Sequence, residues 1–515
     1  MVRHATFNTD PVEIEKPIEV QTEDVDAEKQ SPLHPIGTRT TEGGDTEKGS
    51  TRYAESESGL LYKKEHKKAE RKLLMKLDVA ILPFAVLLYL SAYLDRGNLA
   101  NARLQGLQEE LLDGEDRNYS IALCCFFVTY IVFSVPGTLL AKQFLPSRSI
   151  ACAAAFNKAG LYVCRLFVGV GESMFGQAMA LHFSFWYTKS DLAKRVGLFI
   201  SAGAVSGAFG GLISFGVSSI KNSPIEQWRI LFLIEGCPSI LLAICVFFFM
   251  PSKPEKSKYL NEEQRTLCLT RLNQENNVES ELGVDWGGVK RCLTDWKTYV
   301  ISITYSCMNL TLGSVSGFLP TIIKGFGYSN ARAQLFTVPP YAVALVFMLI
   351  LTSFSDWRQT RGLPAASVFC LGIIGWAILL AVPADEHYSA RYFACICVVT
   401  AGYTNIPLIM SWQSGCTANQ SQRATSLGML NTLGQCLSLA AAFLFPSAEG
   451  PQYTKGASIN LAFQGLGLIL TLFMTSYYRW ENRRRDMREG GKPAVGAHID
   501  VKQGYDKAVG FRYVP

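Results

Sequence analysis

The chain has 515 residues, of which 49% are apolar and only 18% charged, with a formal net charge of +6; globular proteins carry about 25% charged residues. The apolar residues come in blocks of eighteen or more with few charges, the length of a bilayer-crossing helix. This excludes a mainly disordered chain, a disulfide scaffold and a nucleic-acid-binding protein.

Residues 1–70 form a polar tail, too poor in apolar area to fold alone. It has no apolar segment near Met1 that would read as a cleavable signal, and it closes on a basic cluster from Lys63 to Lys76. Helices are predicted over residues 77–94, 119–141, 160–186, 196–219 and 228–250, within a first bundle spanning 71–250. A polar cytosolic loop, 251–298, follows and carries a soluble helix with Asn261 as a plausible N-cap. The second bundle, 299–480, holds predicted helices at 299–320, 334–354, 362–382, 391–412, 423–446 and 458–478. A basic run at 479–488 leads into the C-tail, 481–515. That makes eleven full-length spans and one short one. Between Lys142 and Arg165 the apolar run is only 150–156.

Charge placement argues that this short segment crosses or re-enters. With the N-tail cytosolic and twelve crossings, most basic residues of the loops fall inside, as the positive-inside rule requires. Without that crossing every later helix flips, and the C-terminal basic run faces out. A helix over residues 147–160 would reach about 21 Å, against a hydrocarbon core of about 30 Å. It would need support from neighbours or local thinning.

The 14 cysteines lie mostly in apolar runs and form no C-x-x-C pair; buried, they act as small apolar side chains. No metal, cofactor or nucleotide-binding loop is expected, and no nucleophile–base constellation suggests an enzyme. The chemistry rests on charges inside apolar helices, which are costly there and face a cavity or a partner. Arg165 and Glu172 are two turns apart on one helical face, about 10.5 Å along the axis. The functional reading is an anion-binding Arg165 and a proton-exchanging Glu172; the structural reading is a pair that locks the helix to its neighbours. Asp95, Arg96 and Asn98 are placed at the outer end of the first helix, in a gating or structural role. Glu235, near Arg229, reads equally as a functional acid and as half of a structural charge pair. Lys142 with Arg148, and Asp356 with Arg361, occupy equivalent inner loops of the two halves and could latch the inner face. Gly203, Gly207 and Gly211 recur every four residues and allow close helix approach. Tyr89, Tyr305, Asn309 and Asn405 are candidate substrate contacts at the midplane; Tyr93, His182, Asn431 and Gln435 are further polar residues in apolar helices.

Several ordered segments carry a family resemblance: Asp95-Arg96-Gly97-Asn98, Arg165-Leu166-Phe167-Val168-Gly169 with Glu172, Trp228-Arg229 with Glu235-Gly236, Val338-Pro339-Pro340-Tyr341, Ser355-Asp356 and Pro451-Gln452-Tyr453-Thr454-Lys455-Gly456. Over residues 71–488 the chain resembles the fungal allantoate permease family, in the anion:cation symporter branch of the major facilitator superfamily. The resemblance implies an all-α membrane protein with the major facilitator fold of two six-helix bundles, here with the third helix truncated. It implies alternating-access transport of a small organic anion with protons, by a monomer in the lipid bilayer, with the plasma membrane expected and a vacuolar or other endomembrane as the alternative. Two other readings stand beside it: export of a fungal secondary metabolite, and a non-transporting sensor or inactive variant, which the clipped third helix motivates. The chain departs from the family at that helix, at Gly176-Gln177, where a Pro-Gly pair is usual, and at Cys416, where an Asn is usual.

Overall fold

The computed structural model describes residues 45–140, 158–220, 223–251, 253–257, 259–276, 285–383, 387–493 and 504–515. The chain divides into two units, Met1–His66 and Lys67–Pro515. In the first, residues 45–66 are helical where a structureless tail was expected. Their Lys, Glu and Leu favour helix.

The first half contains α1 (Asp45–Ala102), α2 (Gln108–Leu111), α3 (Asp116–Leu140), α4 (Lys158–Ser184), α5 (Lys189–Ser218) and α6 (Gln227–Phe249). The central segment supplies α7 (Glu262–Asn276) and α8 (Trp286–Thr294). Then come α9 (Trp296–Lys324), α10 (Asn330–Leu335), α11 (Val338–Arg358), α12 (Gly362–Ala381), α13 (Tyr388–Gly415), α14 (Gln420–Ala441) and α15 (Thr454–Glu489). Among the described residues, nine helices are long and apolar enough to cross a bilayer. Two further long helices, α4 and α14, fall outside that set. In α14 the reason is chemical: Gln422, Asn431 and Gln435 are buried within it, so a hydropathy reading underrates a helix that protein rather than lipid surrounds. The short third segment, with Lys142 and Arg148, lies outside the described residues.

One boundary differs in a way that matters. The first helix was expected to stop at residue 94, before Asp95. Instead α1 runs on to Ala102 and passes into a π turn, Arg103–Leu107, where Gly106 takes φ 96° and kinks the chain into α2. Asp95, Arg96 and Asn98 therefore sit inside a membrane-length helix, not at its outer end. A hydropathy profile stops at the first charges; the helix continues because neighbours supply partners for them. The loop helices follow their local chemistry. Before α7, the Gln264 side chain accepts the Asn261 N–H at 3.4 Å, the return half of a capping box. Asp285 caps α8 by accepting from Gly287 N at 2.9 Å.

Core packing joins the halves along two seams, α3 against α14 and α5 against α10, α11 and α13. The α5 seam depends on its small residues. A Cβ at Gly207 would lie 2.4 Å from the Tyr341 ring, and one at Gly211 2.4 Å from Thr337 Oγ1. Gly203 packs on Tyr93 instead. One end of the molecule is sealed across both seams. Arg103 Nη2 pairs with Asp116 Oδ1 at 2.7 Å and donates to Ser447 Oγ at 3.0 Å. Gln334 Nε2 donates to the Asn101 carbonyl at 3.2 Å and Asn330 Nδ2 to the Leu104 carbonyl at 2.8 Å. Beside them Ser120 Oγ donates to the Ala442 carbonyl at 2.7 Å. Asn118, part of a glycosylation sequon in the sequence, is buried there and donates its amide to the Leu112 carbonyl at 3.0 Å.

Candidate functional site

Beneath that seal is a narrow cavity of about 30 Å³, lined from both halves by Tyr93, Arg96, Asn101, Ser206, Tyr341 and Tyr403 among others. Small-molecule sites usually enclose at least about 300 Å³. In this conformation the space admits water and no organic substrate, so occupancy requires the halves to part.

Arg96 is the charged residue that both halves share at this level. Its side chain is buried and lies 3.6 Å from Glu172 Oε1 on α4. From its other side Nη2 donates to Gln435 Oε1 on α14 at 3.2 Å. Phe126 and Phe127 present their ring faces to the guanidinium at 5.1 and 5.3 Å. This is a cation held by one carboxyl, one amide and aromatic faces, with its Nε making no hydrogen bond. Such a site can exchange one anionic partner for another at little geometric cost.

Arg165 takes a different position from the one its spacing suggested. Its Nη1 donates to the Asp95 backbone carbonyl at 3.1 Å, and its guanidinium lies 5.9 Å from the Phe232 ring of α6. It is enclosed by α1, α4 and α6 of the first half and does not line the cavity. Gly169, one turn beyond it, is pressed against α3, where a Cβ would come 2.4 Å from the Phe126 carbonyl. The shared face of α4 thus splits: Glu172 meets the Arg96 side chain, which reaches the opposite half, and Arg165 is held between the α1 backbone and α6.

Glu235 is buried on α6, as its sequence position suggested, but Arg229 is not its partner. Arg229 bonds Glu110 at 2.8 Å, because it lies a turn and a half nearer the helix start, where the end of α2 comes across. Of the four midplane candidates, Tyr89 donates to Tyr93 OH at 3.2 Å and packs on Phe199. Tyr305 lies against Gly434, and Asn309 donates to the Tyr305 carbonyl at 3.0 Å. Asn405 is fully buried with neither amide atom bonded. None of these four lines the cavity. Asp356 pairs with Arg361, which also donates to Ser355 Oγ at 3.1 Å; this is the pair for which a latching role was expected in the second half. Its first-half counterpart, Lys142 and Arg148, is outside the described residues. The residues that sequence reasoning undervalued are Arg96 and Gln435. Each was singled out, but only the fold puts them in contact.

A family model described as Major Facilitator Superfamily matches residues 85–443. The chain belongs to that superfamily. The high-affinity nicotinic acid transporter of Saccharomyces cerevisiae is 31% identical over 434 residues, covering 81% of this chain and 79% of that protein. The MFS-type transporter efuF of Hormonema carpetanum is 29% identical over 434 residues, covering 82% and 88%. The solved structure of the proton:xylose symporter XylE is similar at 14% identity with a TM-score of 0.59, over 78% of this chain and 96% of that one. That likeness establishes the fold. As a member of the superfamily, this chain is a multi-pass membrane protein and a secondary transporter of a small molecule, and its relatives are named as transporters rather than enzymes.

Proposed function

We propose that this protein carries a small organic anion coupled to protons by alternating access, as expected for the anion:cation symporter branch and its fungal allantoate permease family. The observation that supports this best is the placement of Arg96, a buried guanidinium bonded to Gln435 of the opposite half and balanced by Glu172 of its own. In this reading a substrate carboxylate and the Glu172 carboxylate compete for one cation. Protonation of Glu172 releases Arg96 to the substrate. Neutralising the arriving charge removes the cost of moving an ion pair through a low-dielectric passage, and the halves rock about the loaded site. Arg165 then supports the site by fixing the α1 backbone at Asp95, one residue before Arg96.

The same reading has twelve crossings, bundles at 71–250 and 299–480, both tails cytosolic and the sealed end facing outward. The carrier acts as a monomer in the plasma membrane. The nicotinic acid relative makes an aromatic monocarboxylate the first substrate to try.

The test is uptake of a radiolabelled carboxylate panel at two pH values. Arg96→Ala should lower kcat/KM by about 30-fold to more than a thousandfold, since leaving a buried charge without its partner costs about 2–5 kcal/mol. Membrane delivery should be unchanged. Glu172→Gln should flatten the pH dependence while keeping substrate affinity. Normal uptake by the Arg96 variant would remove the anion site proposed here, and a steep pH profile in the Glu172 variant would remove its proton site.

A further inference from the structure

Between α1 and α6 runs a polar seam that the exchange at Arg96 does not use. Ser91 and Ser239 bond each other at one level. A turn away, Asp95 and Asn98 of α1 face Glu235 of α6. Glu235 is 4% exposed and Asn98 1%. The Asn98 amide lies against the Glu235 carboxyl, and none of their four buried polar atoms has a hydrogen bond to any other group. Native interiors seldom leave four such atoms together, and each one calls for an explanation.

The charges at this seam do not balance. Two carboxyls, Asp95 and Glu235, meet one guanidinium, Arg165, which reaches Asp95 through its backbone carbonyl and lies on Phe232 beside Glu235. The other arginines nearby are committed: Arg229 to Glu110, and Arg96 to Glu172 and Gln435. In α5, which contacts α6, residues 196–218 have no ionisable side chain, and its charged residues are confined to the first two turns. Asp95 is thus the charged group facing Glu235 among the described residues. An isolated carboxylate buried in this way is several kcal/mol more costly than a neutral acid.

We propose that Glu235 is a second proton-carrying group of the transporter, holding a proton against Asp95 and Asn98 separately from the one that Glu172 takes up. It rests on the proton-coupled reading above and adds a site to it. The step is a simple transfer: an O–H bond forms on Glu235 as a hydronium ion reaching the seam gives up its proton and leaves as water, and that bond breaks when a water molecule takes the proton away as hydronium. Asn98 is suited to both states, since its amide oxygen accepts from the acid and its N–H₂ donates to the carboxylate. Because Asp95 is bonded through its backbone to Arg165 and adjoins Arg96, a charge appearing on Glu235 is felt at the substrate site. The two protons are thereby linked without direct contact.

The experiment is pH-difference infrared spectroscopy on the purified full-length transporter in lipid nanodiscs, which needs no substrate. Wild type should show two protonated-carboxyl C=O bands that vanish as pH rises. Glu235→Gln should lose one of them and Glu172→Gln the other, and Glu235→Asp should restore the first at a shifted frequency. A Glu235→Gln spectrum identical to wild type, both bands retained, would overturn the proposal while leaving Glu172 in place. Loss of a band in Glu235→Gln together with no change in Glu172→Gln would uphold this site and sink the Glu172 coupling instead. Absence of any titrating band in wild type would overturn both. Glutamine keeps the shape and neutrality of the protonated acid, so the variant should fold, and gel filtration checks that it does.

Discussion

The two halves bury polar groups in opposite ways. In the second half, the interior between α9, α12 and α15 is neutral and largely bonded to itself, with Gln464 Oε1 left over. Thr311 Oγ1 accepts from Trp376 Nε1 at 3.1 Å and from Gln464 Nε2 at 2.7 Å, and donates to Asn460 Oδ1 at 3.1 Å. Asn460 Nδ2 in turn donates to Ser314 Oγ and to the Gly456 carbonyl. In the first half, the interior between α1, α4 and α6 is charged and short of partners: Arg96, Arg165, Glu172 and Glu235 all leave side-chain atoms unbonded. A nearly completed neutral network fixes one arrangement. An incomplete one can accept a ligand or a proton, so the first half is where exchange belongs and the second is the frame against which it works.

A charged cluster between the central segment and the C-tail sharpens this contrast, because charge alone does not make a site functional. Asp506 is fully buried under α8 and α15. It receives Arg291 Nε at 2.8 Å, Lys297 Nζ at 2.7 Å and Tyr513 OH at 2.8 Å. Burial opposes its ionised form, but Arg291, Lys297 and Tyr513 outweigh that and hold the carboxyl well below the usual carboxylate range. Asp506→Ala should give the largest loss of stability, about 3–5 kcal/mol, because it strands buried cations. Thermal melting in detergent checks this, and KM should stay near wild type. The sign of the pH effect follows from the depressed pKa. The stabilisation is complete above about pH 4, where the unfolded carboxyl is ionised, and fades as pH falls towards the folded value. A variant that melts normally but transports poorly would break the comparison.

Next in size is Thr311→Val. It keeps the shape and removes the oxygen that Trp376 and Gln464 share. Stranding buried donors costs about 1–3 kcal/mol. The melting temperature should fall by a few degrees, with substrate affinity and pH dependence unchanged. A shifted pH profile in this variant would mean that the neutral network belongs to the transport chemistry after all.

The fold was legible because its signal is long and coarse. Blocks of apolar residues at 299–320 or 362–382 need only length to be read as helices, and α9 and α12 cover them. The site was legible in composition but not in pairing. Glu172 and Gln435 stood out as polar residues in apolar helices and Arg96 as a charge at a helix end, yet the Arg96–Gln435 bond joins positions 339 residues apart, which no local period reports. Arg165 and Glu172 share a helical face by arithmetic, but that face is wide enough to meet different groups: Glu172 meets the Arg96 side chain, and Arg165 the Asp95 backbone and the Phe232 ring of α6. Arg229 was the nearest cation to Glu235 along the chain. In space Glu110, from a turn that the hydropathy profile passed over, claims it.

The smallest effect is expected where sequence and structure agree most simply, at Asp356. It pairs with Arg361 at the start of α12, and the carboxylate is half exposed while the guanidinium is largely covered. An exposed ion pair contributes about 0–1 kcal/mol, and much of the local order comes from elsewhere: Ser355 Oγ donates to the Thr360 carbonyl at 2.6 Å, and Arg361 N to the Pro515 carbonyl at 2.9 Å. Asp356→Asn should therefore leave the melting temperature almost untouched. If the pair latches one state of the carrier, its loss should appear in the rate of interconversion, as a modest change in kcat at constant KM that 0.5 M salt reproduces in wild type. Salt screens the exposed carboxylate but cannot reach the buried charges of the first half, so the same measurement separates the two regions. A salt-insensitive wild type with a slow Asp356→Asn variant would place the latch in the backbone bonds around Thr360 and not in the charge.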